Sequence, residues 1–229
     1  MKTIGLIGGM SWESTVTYYQ IINNTVKDKL GGLHSAKVIL YSVDFAEIEK
    51  CQADGDWDKS ADILTKAAQS LQKAGADFIV ICTNTMHKVV PQIQSQIHIP
   101  IIHIADATAE TLINAGIKNV ALLGTKYTMT QDFYKNRLIV KGLNVVIPND
   151  IDIEKVNNII YNELCLGIIS DKSRDVYKQV IENLRDKGAE AVILGCTEIG
   201  LLIKQDDSIL PVFDTAEIHA KMVAEKSIS

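Results

Sequence analysis

Residues 73–85 read KAGADFIVICTNT, and residues 186–198 read DKGAEAVILGCTE. Each stretch has a glycine that stops one segment, a short polar step, a continuous apolar run and a break into small polar residues. An apolar run of that length between turn signals reads as a strand buried on both faces, the kind that parallel sheets use. Gly75 and Gly188 lie 113 positions apart, so the pair points to a duplication. Two more blocks recur in the same order. KTIGLIGG from Lys2 matches KNVALLGT from Lys118 at an offset of 116, and PIIHIADATAE from Pro100 resembles PVFDTAE from Pro211 at an offset of 111. Three ordered matches with nearly constant offset are the mark of an internal repeat.

Working outward from these blocks, apolar runs predict strands at 3–7, 37–43, 77–82 and 100–104, then at 119–123, 144–147, 191–194 and 211–213. Helical spacing predicts helices at 14–30, 58–74, 88–97, 131–141, 153–166, 173–187 and 216–225. The stretch CQADGDW from Cys51 reads as a polar loop. Strands alternating with helices give an α/β fold with parallel sheets covered by helices. The expected architecture is two similar lobes, each a parallel sheet flanked by helices, related by a pseudo-twofold axis. The first lobe is expected at 1–98 plus 208–229 and the second at 99–207. Ligands of open parallel sheets bind beyond the carboxyl ends of the strands, which places the expected site in the cleft between the lobes.

The bulk numbers narrow the function. The chain has 229 residues, with 23 basic against 28 acidic side chains and a net charge of −5. No long block of like charge occurs, and the balance argues against nucleic acid as a partner, since such proteins carry basic stripes. No apolar run approaches the roughly 18 residues of a membrane span. The opening MKTIGLIGG holds only a short apolar run, so no secretory signal is expected. Cys51, Cys82, Cys165 and Cys196 are scattered, which suits free thiols in a reducing, cytoplasmic setting. Paired metal-ligand spacing is missing, so no metal is expected. The run GLIGGM lacks the full glycine fingerprint of a dinucleotide site.

The duplication also aligns the residues that follow each strand. At the 113 offset, Ile81 falls on Leu194, Cys82 on Gly195, Thr83 on Cys196, Asn84 on Thr197 and Thr85 on Glu198. Facing lobes would then set Thr83 and Cys196 on opposite sides of one ligand. Inverting a stereocentre needs that arrangement, because one group removes a Cα proton and another returns a proton to the opposite face. A thiol is a good candidate for this, since neighbouring donors and helix N-termini can lower its pKa. Successive residues leaving a strand point to opposite sides, so Cys82 turns away if Thr83 faces the ligand. A local bulge bringing Cys82 into play is the alternative; the repeat favours Thr83. Cys51 and Cys165 read as inert, and His87 as a helix-turn or supporting residue.

VILGCTEIGLL from Val192 and IVICTNTMH from Ile79 resemble the two signatures of the aspartate/glutamate racemase family, and GLIGGMSWEST from Gly5 resembles the opening of its aspartate-racemase branch. The resemblance runs from end to end. It implies a racemase of aspartate, glutamate or a similar small amino acid that needs no pyridoxal phosphate or other cofactor, often as a homodimer. It differs at one position: the family pattern has a cysteine directly before Asn-Thr at the first site, and here that residue is Thr83. In the family the second-lobe cysteine deprotonates the L-enantiomer, so Cys196 is expected to abstract from L-substrates while D-substrates turn over slowly. By position, Met10, Ser11, Asn84, Thr85, Thr125, Thr128, Thr197 and Glu198 are expected to hold substrate, with Thr197 or Glu198 on its amine. Gln52 resembles a position that reaches the distal carboxylate. Two other readings remain: an amino-acid-binding or regulatory protein with weak turnover, and another isomerase of the superfamily such as a hydantoin racemase or maleate isomerase.

Overall fold

In the computed structural model, which describes residues 1–229, the chain divides into two units, Met1–Ile104 with His219–Ser229, and Ala105–Ile218. The first begins with β1 (Ile4–Gly8), buried along its whole length. The chain continues through α1 (Trp12–Leu30), β2 (Val38–Ser42), α2 (Phe45–Asp54), α3 (Trp57–Lys73), β3 (Phe78–Ile81), a 3₁₀ turn at Thr85–Val89, α4 (Val90–Gln94) and β4 (Ile101–Ile102). All pairings are parallel, in the order β2-β1-β3-β4. The apolar face of α3 supplies Leu64, Ala67, Ala68 and Leu71 to a core shared with Ile7, Ile79 and Ile81. Burying each large aliphatic side chain is worth about 1.5–3 kcal/mol, so this face fixes how α3 lies on the sheet.

The second unit repeats the plan. Its elements are α5 (Ile104–Asn114), β5 (Asn119–Gly124), α6 (Lys126–Thr130), α7 (Asp132–Val140), β6 (Asn144–Val146), α8 (Asp150–Asn162), α9 (Asp171–Asp186), β7 (Ala191–Gly195), α10 (Ile199–Leu202), β8 (Val212–Asp214) and α11 (Thr215–Ile228), whose last turns return to the first unit. The sheet order is β6-β5-β7-β8, again all parallel. Register follows the repeat: Ile79 pairs with Ile101 as Val192 pairs with Val212. Even the strand entries match. Asp77 Oδ2 accepts from the Thr3 amide at 2.5 Å, and Glu190 Oε2, its repeat equivalent, accepts from the amides of Lys118 and Asn119 at 2.8 and 2.9 Å. The core here joins Leu123, Val192 and Leu194 to Val156 of α8 and Tyr177, Val180 and Leu184 of α9.

The structure departs from the sequence expectation most clearly at the unit boundaries, α2 and α5; it also divides the helix expected at 88–97 into a 3₁₀ turn and the short α4, and adds α6 and α10. The unit boundaries follow Ile104 and Ile218 rather than 98 and 207, because Ile101–Ile102 hydrogen-bonds onto β3 and Val212–Asp214 onto β7. Residues 45–54 are the helix α2, not part of a polar loop: Asp44 caps its start, accepting from the Ala46 amide, and Gly55 ends it at φ 72°, a left-handed conformation that glycine adopts without cost. Helix α5 begins at Ile104, inside the apolar run that reads as a strand. No helix is long and apolar enough to cross a membrane.

Candidate active site

In each unit the two central strands end in the residues singled out by the repeat. After β3, Cys82 is fully buried and its amide donates to the Ile7 carbonyl at 2.9 Å. Burial pushes its thiol far above the ordinary range, so it packs as a small hydrophobe. Thr83 is the next residue and is half-buried. Asn84 and Thr85 are buried as the chain enters the 3₁₀ turn. After β1, Met10 is buried, and Ser11 caps α1, its Oγ 3.5 Å from the Ser14 amide. Thr15, absent from the residues singled out by sequence, braces this tip. Its hydroxyl accepts from the Gly9 amide and donates to the Ser11 carbonyl, both at 2.9 Å. Gln52 is buried in α2, its Nε2 donating to Met86 Sδ at 3.1 Å.

Behind the first tip lie three buried histidines. His87 Nδ1 is 2.7 Å from the Thr83 carbonyl oxygen, and the Ile104 amide donates to its Nε2 at 3.2 Å. The His103 ring packs against it, tilted by 59° with ring centres 4.5 Å apart. His219 sits 2.9 Å from the Tyr18 hydroxyl by Nδ1 and 3.0 Å from the Ile102 carbonyl oxygen by Nε2. A carbonyl oxygen only accepts, so His219 carries its proton on Nε2 and Tyr18 donates to Nδ1. Burial, reinforced by repulsion from His87, lowers the His219 pKa to about 3.

In the second unit β7 ends in Gly195, where an added Cβ would lie 2.6 Å from the Leu123 carbonyl oxygen; only glycine lets the tip lie this close to β5. Cys196 follows, buried, with its Sγ 2.9 Å from Glu198 Oε2. The Thr197 hydroxyl donates to the same oxygen at 2.9 Å. Burial, then the Glu198 charge, push the thiol well above its ordinary range. The expectation of a lowered pKa is thereby reversed: α10 begins at Ile199 with only four residues, and the nearest strong field is a carboxylate rather than a helix N-terminus. The carboxylate instead accepts a hydrogen bond from the protonated thiol. Thr125 caps α6, its hydroxyl 3.1 Å from that of Thr128, and Thr128 packs beneath Gly124 and Gly195. The four cysteines are free thiols, and Cys165 packs at the edge of the second core.

Each of the two parallel α/β units ends its buried central strands in polar residues, and in the second a thiol donates to a carboxylate. Residues 7–223 match the family model described as Asp/Glu/hydantoin racemase, and the chain belongs to that family, which makes it a racemase by class, an isomerase. The crystal structure of a candidate Asp/Glu racemase from Yersinia pestis aligns over 100 % of both chains at 56 % identity with a TM-score of 0.92. An aspartate racemase homologue from Pyrococcus horikoshii OT3 aligns over 100 % of both at 40 % identity and 0.85. The broad specificity amino-acid racemase RacX of Bacillus subtilis is 24 % identical over 221 residues, 95 % of each chain.

Proposed function

We propose that the chain is a cofactor-independent racemase of acidic amino acids, aspartate or glutamate, acting most readily on the L-enantiomer. The observation that carries this is the Cys196–Glu198 pair at the tip of β7, in the repeat position of Thr83. Glu198 takes the Sγ proton, the thiolate takes the Cα proton, and Thr83 relays a proton to the opposite face, taking one from water as it gives one up, while Glu198 returns its proton to solvent. This chemistry requires Thr83 and Cys196 to act on the same substrate molecule. A carboxylate within hydrogen-bond reach of the thiol gives its proton a destination, which a buried sulfur with a raised pKa needs. Ser11, Met10, Asn84, Thr85, Thr125, Thr128 and Thr197 are offered to the substrate's α-carboxylate and amine, and Gln52 to its distal carboxylate. A homodimer in a reducing, cytoplasmic compartment completes the reading.

One observation favours a second reading: a hydroxyl is a far weaker acid–base group than a thiol, so a binding protein with little turnover would also tolerate Thr83. Incubating the protein with L-aspartate, and separately with L-glutamate, in deuterated water distinguishes the two. The racemase reading expects D-product carrying deuterium at Cα, measured by chiral chromatography and mass spectrometry. Tight binding without deuterium at Cα supports the binding protein.

A further inference from the structure

His87 stands off the proposed proton path, yet both of its ring nitrogens hold backbone at the first tip. Nδ1 lies 2.7 Å from the Thr83 carbonyl oxygen and Nε2 3.2 Å from the Ile104 amide. The first partner only accepts and the second only donates, so the ring is neutral with its proton on Nδ1. It is buried against His103, with His219 5.9 Å beyond. Since His219 grips the Ile102 carbonyl, these imidazoles tie the Thr83 tip to the last residues of the first unit before the chain leaves it.

The second tip lacks this device. At the 113 offset, His87 corresponds to Gly200, and at the 111 offset His103 corresponds to Asp214. A side-chain carbon on Gly200 would collide with Asp214 Oδ2, so the carboxylate takes the room a side chain there would need. Cys196 is instead held through its own sulfur by Glu198, whereas the equivalent of Glu198 in the first unit is Thr85. Threonine is restricted at χ1, so fixing the backbone of Thr83 narrows where its hydroxyl points. We propose that His87 is a positioning residue for Thr83: by holding its carbonyl, it aims the hydroxyl that returns the proton. This rests on the reading that Thr83 delivers the proton that forms D-product.

The test compares two rates for L-aspartate in deuterated water: deuterium entering Cα of the L-substrate, which reports the Cys196 face, and formation of D-aspartate, which needs the Thr83 face. In His87→Gln the amide sits at the place of Nε2, out of reach of the Thr83 carbonyl. The ratio of exchange to D-product is expected to rise about tenfold or more, the scale of one lost hydrogen bond. His87→Asn, which sets an N–H near the place of Nδ1, is expected to bring the ratio back to within about threefold of wild type, a residual difference smaller than one net hydrogen bond. An unchanged ratio in His87→Gln, or an equal loss of both rates, overturns the inference. Ring ¹⁵N shifts of His87 in the wild-type protein give a check that needs no variant: a proton on Nδ1 is expected, and a proton on Nε2 overturns it. Thr83→Ala separates this from the parent reading. D-product at the wild-type rate in that variant defeats the parent reading. Lost D-product there with a wild-type ratio in His87→Gln leaves the parent reading standing and removes His87 from it.

Discussion

At the scale of single residues, the proposed chemistry depends on a buried thiol with a raised pKa that donates to the Glu198 carboxylate. Removing that carboxylate has two opposite consequences. In Glu198→Gln the neighbouring charge that raises the thiol pKa is gone, so alkylation of Cys196 by iodoacetamide at pH 8, followed site by site by mass spectrometry, is expected to speed up. Deuterium exchange at Cα of L-aspartate is expected to fall about 100-fold, the scale of one general base. Both rates moving together in either direction contradicts the role. Thr83→Cys gives the first tip a competent base, and D-aspartate turnover is expected to rise about tenfold or more, read by circular dichroism; no change counts against Thr83. The repeat locates Thr83 and Cys196 in the sequence because it supplies a register. It cannot reveal that Glu198 meets the sulfur, since no periodic spacing relates two residues in an irregular turn, and Glu198 therefore reads as a substrate-amine partner. His87 reads as a helix-turn or supporting residue for the same reason: its partner is a backbone carbonyl, which leaves no trace in side-chain identities.

At the scale of elements, the buried central strands are legible because an uninterrupted apolar run closed by turn residues suits a short strand covered on both faces, and β1, β3, β5 and β7 all lie where such runs occur. Helix α2 escapes because polar and apolar residues share it evenly and its last turn runs into the polar stretch CQADGDW, although its cap Asp44 and stop Gly55 are present to be read. Helix α5 escapes because IIHIA reads as one apolar strand, of which only Ile101–Ile102 pairs. The histidines behind β3 add a pH dependence. In the folded protein His219 titrates at about 3, against 6.5 for the ordinary side chain. The unfolded chain therefore takes up a proton that the folded one refuses. The stabilisation is fully present above pH 6.5 and is lost as pH falls toward 3, with a slope approaching about 1.4 kcal/mol per pH unit. Urea midpoints measured between pH 7 and pH 4 should fall less steeply in His219→Asn than in the wild type. Equal slopes would show that this ring does not resist protonation.

For the whole molecule, the duplication is the organising fact. Two sheets share one strand order, one register and one way of capping their strand entries, yet their tips have diverged to a hydroxyl in one unit and a thiol with its carboxylate in the other. The offsets of 116, 113 and 111 are readable without coordinates. The points where the chain passes between units are not, because only hydrogen bonding decides which sheet a short strand such as β4 joins. An enzyme cannot move the equilibrium between mirror-image substrates, so on the proposed reading unequal tips are expected to show in Cα exchange, faster from the L-enantiomer than from the D-enantiomer. The most direct test of the whole scheme is solvent deuterium incorporation at Cα of L-aspartate by Cys196→Ser, followed by proton NMR. The wild-type protein is expected to wash the Cα signal out while the variant leaves it in place, at least about 100-fold slower. Exchange in Cys196→Ser at the wild-type rate would remove the sulfur from the chemistry.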